Sequence, residues 1–117
     1  MYRLFLTLLI FSPLAMAGEI DQRAALDALQ HPDTVLIDVR SVEEYAEGAL
    51  PGSIRIEPDD LHARIASVVP DQDRPVVLYC RSGRRASVAQ DMLEQLGYSQ
   101  VINGGGYEQL RDAVGTH

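Results

Sequence analysis

Past residue 20, apolar positions follow two rhythms that take turns along the chain. One is the short unbroken run. Val35-Leu36-Ile37-Asp38-Val39 and Val76-Val77-Leu78-Tyr79 are apolar almost throughout, as in strands covered on both faces. Ser53-Ile54-Arg55-Ile56 and Val101-Ile102 read as shorter strands. The other rhythm is helical. Ala25, Leu26, Ala28 and Leu29 predict a helix over residues 21–30, closed by His31-Pro32-Asp33 because proline cannot continue it. Ser41 and Glu44 stand three apart as a capping box, so a short helix starts at Ser41 and stops at Gly48. Pro58 suits a first helical position, and Asp59 and Asp60 suit the positive end of the dipole. Leu61, Ile65, Val68 and Val69 then form one apolar stripe.

After a polar loop at residues 70–75 and the strand at Val76, residues 86–96 carry Ala89, Met92, Leu93 and Leu96 on one helix face. Gly97 supplies the stop signal. Asn103-Gly104-Gly105-Gly106 predicts a turn, and residues 107–114 a last short helix. Strands alternating with helices predict one α/β domain. Its central sheet should be mainly parallel, of about five short strands, with helices on both faces. Ligands bind beyond the carboxyl ends of such strands. Cys80 lies at one such end, and the strand ending at Asp38 should bring Asp38 and Arg40 to the same edge. The simpler account of those two is structural, with Arg40 paired to Glu44 or Glu47; the alternative is support for the active edge.

The first residues follow neither rhythm. Met1-Tyr2-Arg3 is a basic start, an apolar run follows, Ser12-Pro13 breaks it, and Ala15-Met16-Ala17 gives a small-x-small cleavage pattern. This is the layout of a secretory signal peptide cut after Ala17. The apolar stretch over residues 4–17 is 14 residues long, short of the roughly 20 that span a bilayer, so no membrane anchor is expected after cleavage. The reading divides the chain into a leader at 1–17 and a domain at 18–117, exported to a bacterial periplasm.

Charge narrows the function. The formal net charge is −7, and a leader with one arginine and no acid leaves 9 − 17 = −8 on residues 18–117. This argues against nucleic acid as a partner, since it needs a cationic footprint. All ten basic residues are arginine, and three of them, Arg81, Arg84 and Arg85, fall within five residues of Cys80. In so acidic a chain that clustering marks a local anion site, because arginine offers a fixed fork of donors to oxyanions. Cys80 is the only cysteine, so no intramolecular disulfide exists. A lone cysteine in an apolar run is usually a small core residue, but Arg-Ser-Gly-Arg-Arg is not core sequence. A strand-to-helix loop presents backbone N–H groups, and they and the arginines favour a thiolate, the nucleophilic form.

Cys80-Arg81-Ser82-Gly83-Arg84-Arg85 resembles the active-site loop of the rhodanese, or thiosulfate sulfurtransferase, family. Leu36-Ile37-Asp38-Val39-Arg40, Glu44-Tyr45 and Gly48-Ala49-Leu50-Pro51-Gly52-Ser53 resemble that family's first block. Gly97-Tyr98, Val101 and Asn103-Gly104-Gly105 resemble its last. The exported single-domain layout is similar to the phage shock protein E type of periplasmic rhodanese. The resemblance implies that Cys80 takes the outer sulfur of thiosulfate as a persulfide and passes it to cyanide, a small thiol or an acceptor protein. It implies that Arg81, Ser82, Gly83, Arg84 and Arg85 bind the substrate; Asp38 and Arg40 stand as candidates for support of the active edge beside their simpler structural account, no cofactor or metal is expected, and the chain is expected to act as a monomer. Ala49 stands where the family often has histidine, Ala86 where serine often follows the loop, and Tyr107 where tryptophan is frequent.

Rival readings are weaker on the same residues. A cysteine phosphatase or arsenate reductase loop is Cys-x5-Arg, whereas Cys80 to Arg85 is Cys-x4-Arg and the sixth residue is Ala86. A non-catalytic module has no need of the cysteine. A thiol redox pair lacks its second cysteine. His31, His62 and His117 sit in no motif and read as solvated side chains.

Overall fold

The computed structural model describes residues 19–115, so the leader reading lies outside the described residues. The elements run α1 (Gln22–Leu29), β1 (Val35–Asp38), α2 (Val42–Glu47), β2 (Ile54–Arg55), α3 (Pro58–Val68), β3 (Val76–Cys80), α4 (Arg84–Gln95), β4 (Val101–Gly106) and α5 (Tyr107–Gly115). The strands pair in parallel in the order β2-β1-β3-β4.

Among the described residues the sheet has four strands, not the five expected. Next to β4 the chain makes only an isolated parallel bridge, Ile20 to Asn103. Asp21 then turns to helix capping, its side chain accepting the Ala24 N–H at 3.0 Å.

Side chains leave the two central strands alternately to opposite faces, as the pleat requires. Val35, Ile37, Val76, Leu78 and Cys80 join Leu61 and Ile65 of α3 and Ala86, Ala89 and Leu93 of α4 in one core cluster. Leu36, Val77 and Tyr79 join Ala25 of α1 and Leu110 of α5 in the other. Helices therefore cover both faces, which is why the runs seen in sequence lack alternation. At about 25 cal/mol per Å² of apolar surface removed from water, these clusters are the main favourable contribution to folding.

The glycine run does not form the expected turn. It continues β4 to Gly106, and pairing slips between Leu78↔Asn103 and Cys80↔Gly106, which places one extra residue in β4. Gly105 takes the left-handed conformation that such a bulge needs, at φ 95°. A Cβ on Gly106 would lie 2.5 Å from the Arg81 carbonyl oxygen. Glycine is required here so that β4 can lie directly against the Cys80 loop.

Candidate active site

Two neighbouring strand ends define the site. From β1 the chain moves outward to β2, then returns to the opposite side of β1 for β3 and continues outward to β4. The reversal falls between β1 and β3. Crevices beyond carboxyl ends at such switch points are where open α/β sheets bind ligands. Asp38 stands in register beside Tyr79, one residue before Cys80.

Cys80 is fully buried, and the loop closes over it. Its sulfur accepts the Gly83 N–H at 2.9 Å and the Ala86 N–H at 3.4 Å. Gly83 is the N-cap of α4 in the left-handed conformation, φ 92°, a geometry that glycine adopts without strain. This turn aims its own amide, and the first turn of α4, back at the sulfur. Donors and the positive end of a helix dipole both favour negative charge at that point.

The arginines of the loop do not form a ring around the thiol. Arg84 is exposed, and the Arg81 side chain is 79 % exposed. Arg85 turns to Glu44, donating to its two carboxylate oxygens at 3.0 and 3.2 Å. Glu44 also holds the end of α2: its Oε1 accepts from the Ser41 N–H at 2.9 Å, completing the capping box. The Arg85 hydrogen bonds, then the Ser41 N–H, hold the Glu44 carboxyl down at about 2, against the effect of burial. The same bonds to Glu44 raise the Arg85 guanidinium further above its ordinary value. A carboxylate thus sits inside the cationic cluster; the sequence reading had Glu44 as a helix cap and as a candidate partner of Arg40, not of Arg85.

Asp38 and Arg40 pair with each other, at 2.7 Å, both buried. The expected partners of Arg40, Glu44 and Glu47, are not the ones it takes. Adjacency at the strand end decides this, since the Arg40 backbone N–H already fastens to Asp38 Oδ1 at 2.8 Å. The guanidinium also donates to the Gly48 carbonyl at 2.7 Å and lies 4.3 Å from the Tyr107 ring centre. Tyr79 runs beneath it, accepting from the Leu50 N–H at 3.0 Å and donating to Ser53 Oγ at 3.2 Å. Burial pushes the Tyr79 hydroxyl up to about 12, so it stays protonated. Asp38 and Arg40 thereby tie the first block to the sheet edge.

A cleft of about 400 Å³ opens beside the loop, with Arg40, Glu44, Arg81 and Tyr107 among its walls. Among the described residues, no group of three or more His, Cys, Asp or Glu side chains could hold a metal. No helix among them is long and apolar enough to cross a membrane. The sequence reading missed Asn103 as a contact to the loop. Its side chain donates to the Gly83 carbonyl at 3.0 Å and accepts from the Gly105 N–H at 2.9 Å. An asparagine at the head of a glycine run was the available signal.

Known proteins match on the same frame. The rhodanese-like domain family matches residues 21–113. Thiosulfate sulfurtransferase PspE of Escherichia coli (strain K12) is 38% identical over 74 residues, covering 63% of this chain and 71% of that one. A sulfurtransferase of Allochromatium vinosum is 35% identical over 89 residues, covering 75% and 81%. A solved E. coli rhodanese with anions superposes with a TM-score of 0.63 at 37% identity, covering 64% of this chain and 88% of that one. With its four-stranded parallel sheet and its helices on both faces, the chain belongs to the rhodanese-like family.

Proposed function

We propose that this protein is a thiosulfate sulfurtransferase whose nucleophile is Cys80. The observation that carries the proposal is the pair of backbone N–H groups, from Gly83 and Ala86, aimed at a single buried sulfur. The sulfurtransferase names of its relatives support the same reading.

The reaction has two halves. The Cys80 thiolate attacks the outer sulfur of thiosulfate. A sulfur–sulfur bond forms to Cys80, the one inside thiosulfate breaks, and its electron pair leaves with sulfite. The persulfide then meets an acceptor. Cyanide or a thiolate attacks the outer sulfur, and the electron pair returns to Cys80 as thiolate. No net oxidant is needed.

Loop amides hold the charge on sulfur in both halves. Arg81, on the cleft wall, and the exposed Arg84 meet the dianion; Arg85 contributes from its seat on Glu44. Asp38 and Arg40 act at one remove, by fixing the strand ends. We read residues 1–17 as a leader removed after Ala17, with residues 18–117 acting as the rhodanese domain in the periplasm.

Intact-mass measurement tests the chemistry. Incubation with thiosulfate should add one sulfur atom to the wild type and none to Cys80→Ser. An unchanged wild-type mass, together with turnover of an aryl phosphate, would move the protein to the phosphatase class.

A further inference from the structure

The segment just before α1 rests on the loop that covers Cys80. The Ile20 side chain occupies the space above two loop-facing glycines. An ideal Cβ on Gly83 would lie 2.5 Å from Ile20 Cδ1, and one on Gly105 would lie 3.0 Å from Ile20 Cγ2. Although Ile20 is an apolar residue 50% exposed, it is held in place. It bridges Asn103 in parallel, and the next amide, that of Asp21, donates to the Asn103 carbonyl at 2.8 Å.

Asn103 carries the connection onward. Its side-chain N–H donates to the Gly83 carbonyl at 3.0 Å, and its side-chain oxygen is fixed by the Gly105 N–H at 2.9 Å. Gly83 is also the residue whose own amide points at the sulfur, at 2.9 Å. Its two flanking peptide groups are thus constrained from both sides, by sulfur at the amide and by Asn103 at the carbonyl. Ile20 closes the open side above its Cα. Glycine loses more conformational freedom on ordering than any other residue, so a loop glycine held in one conformation needs such external restraint.

We propose that Ile20 and Asn103 are positioning residues for sulfur transfer: together they clamp Gly83 so that its N–H stays aimed at Cys80. The clamp rests on the reading of Cys80 as the sulfur carrier. Neither residue touches the substrate. Ile20 acts through packing and Asn103 through one hydrogen bond to a carbonyl. Releasing the clamp should leave the sulfur in place and free the amide to turn away, which weakens the charge-stabilising donor and slows every reaction of the thiol.

Ile20→Ala separates this from a purely structural role, because Ile20 is half exposed and its loss should leave the core intact. The probes are thiosulfate and iodoacetamide, applied to the full-length protein at fixed pH. The alanine variant should form persulfide and be alkylated about three- to tenfold more slowly, the worth of one weakened hydrogen bond. The loss should fall on kcat with little change in KM, and Ile20→Val should recover most of it. Asn103→Ser should show the same kcat loss, and its melting temperature would reveal any cost to folding separately. A wild type that gains no sulfur would defeat the reading of Cys80 itself. A wild type that gains sulfur, with an Ile20→Ala variant matching it in both rates, would overturn the clamp alone, as would a loss that valine does not repair.

Discussion

Gly83 combines two requirements in one residue. Its φ of 92° lies in the left-handed region, which costs an ordinary L-residue about 1–2 kcal/mol. A Cβ there would also press on Ile20. Gly83→Ala should therefore lower stability by about 1–2 kcal/mol in chemical denaturation and slow alkylation of Cys80. The left-handed φ strains any side chain there whatever the space above it, so the backbone strain should dominate. Adding Ile20→Ala to Gly83→Ala should then recover little stability, whereas full recovery would show that crowding had been the cause. The residue scale also shows where the sequence was plain. A single cysteine, followed by a glycine and three arginines, marked the loop at sight. It did not show that Glu44 would take up Arg85, because those residues stand 41 positions apart.

At the scale of elements, Glu44 belongs to two helices at once. It completes the cap of α2 and receives Arg85 from the first turn of α4. Its carboxyl is held at about 2, below the ordinary 4.5. A depressed carboxyl contributes stability that is present above the higher value and is lost as pH falls through the lower one. The contribution of Glu44 should thus fade between about pH 4.5 and about pH 2. The pair is partly exposed, so solvent screening keeps its worth on the order of 1 kcal/mol. Glu44→Gln should be less stable than wild type by about that much at pH 7, with the two curves converging near pH 2. Parallel curves across that range would show that the bridge contributes nothing. The capping box was legible because both its members lie within one turn. The glycine run misled for the opposite reason. Glycine permits a turn, a bulge or a close approach equally well, and only the neighbouring Arg81 carbonyl selects among them.

For the whole molecule, the order β2-β1-β3-β4 sets the ends of β1 and β3 side by side. That topology puts the Asp38–Arg40 pair and the Cys80 loop on one edge, with the cleft of about 400 Å³ between loop and α5. The leader proposal is also a statement about the whole chain. Protein recovered from a periplasmic fraction should begin at Gly18 on N-terminal sequencing; a start at Met1 would oppose cleavage.

By itself the sequence determined the α/β class, the order of the elements and the strand-to-helix loop that carries the sulfur. Periodicity, caps and turn residues act within a few positions, so they are readable along a line. Tertiary structure alone decided that the sheet stops at four strands, that Arg40 pairs with Asp38, and that Glu44 takes Arg85. It alone set Ile20 and Asn103 against Gly83. These are contacts between segments far apart in the chain, chosen by which surfaces the packed core brings together and by which buried polar groups then need partners.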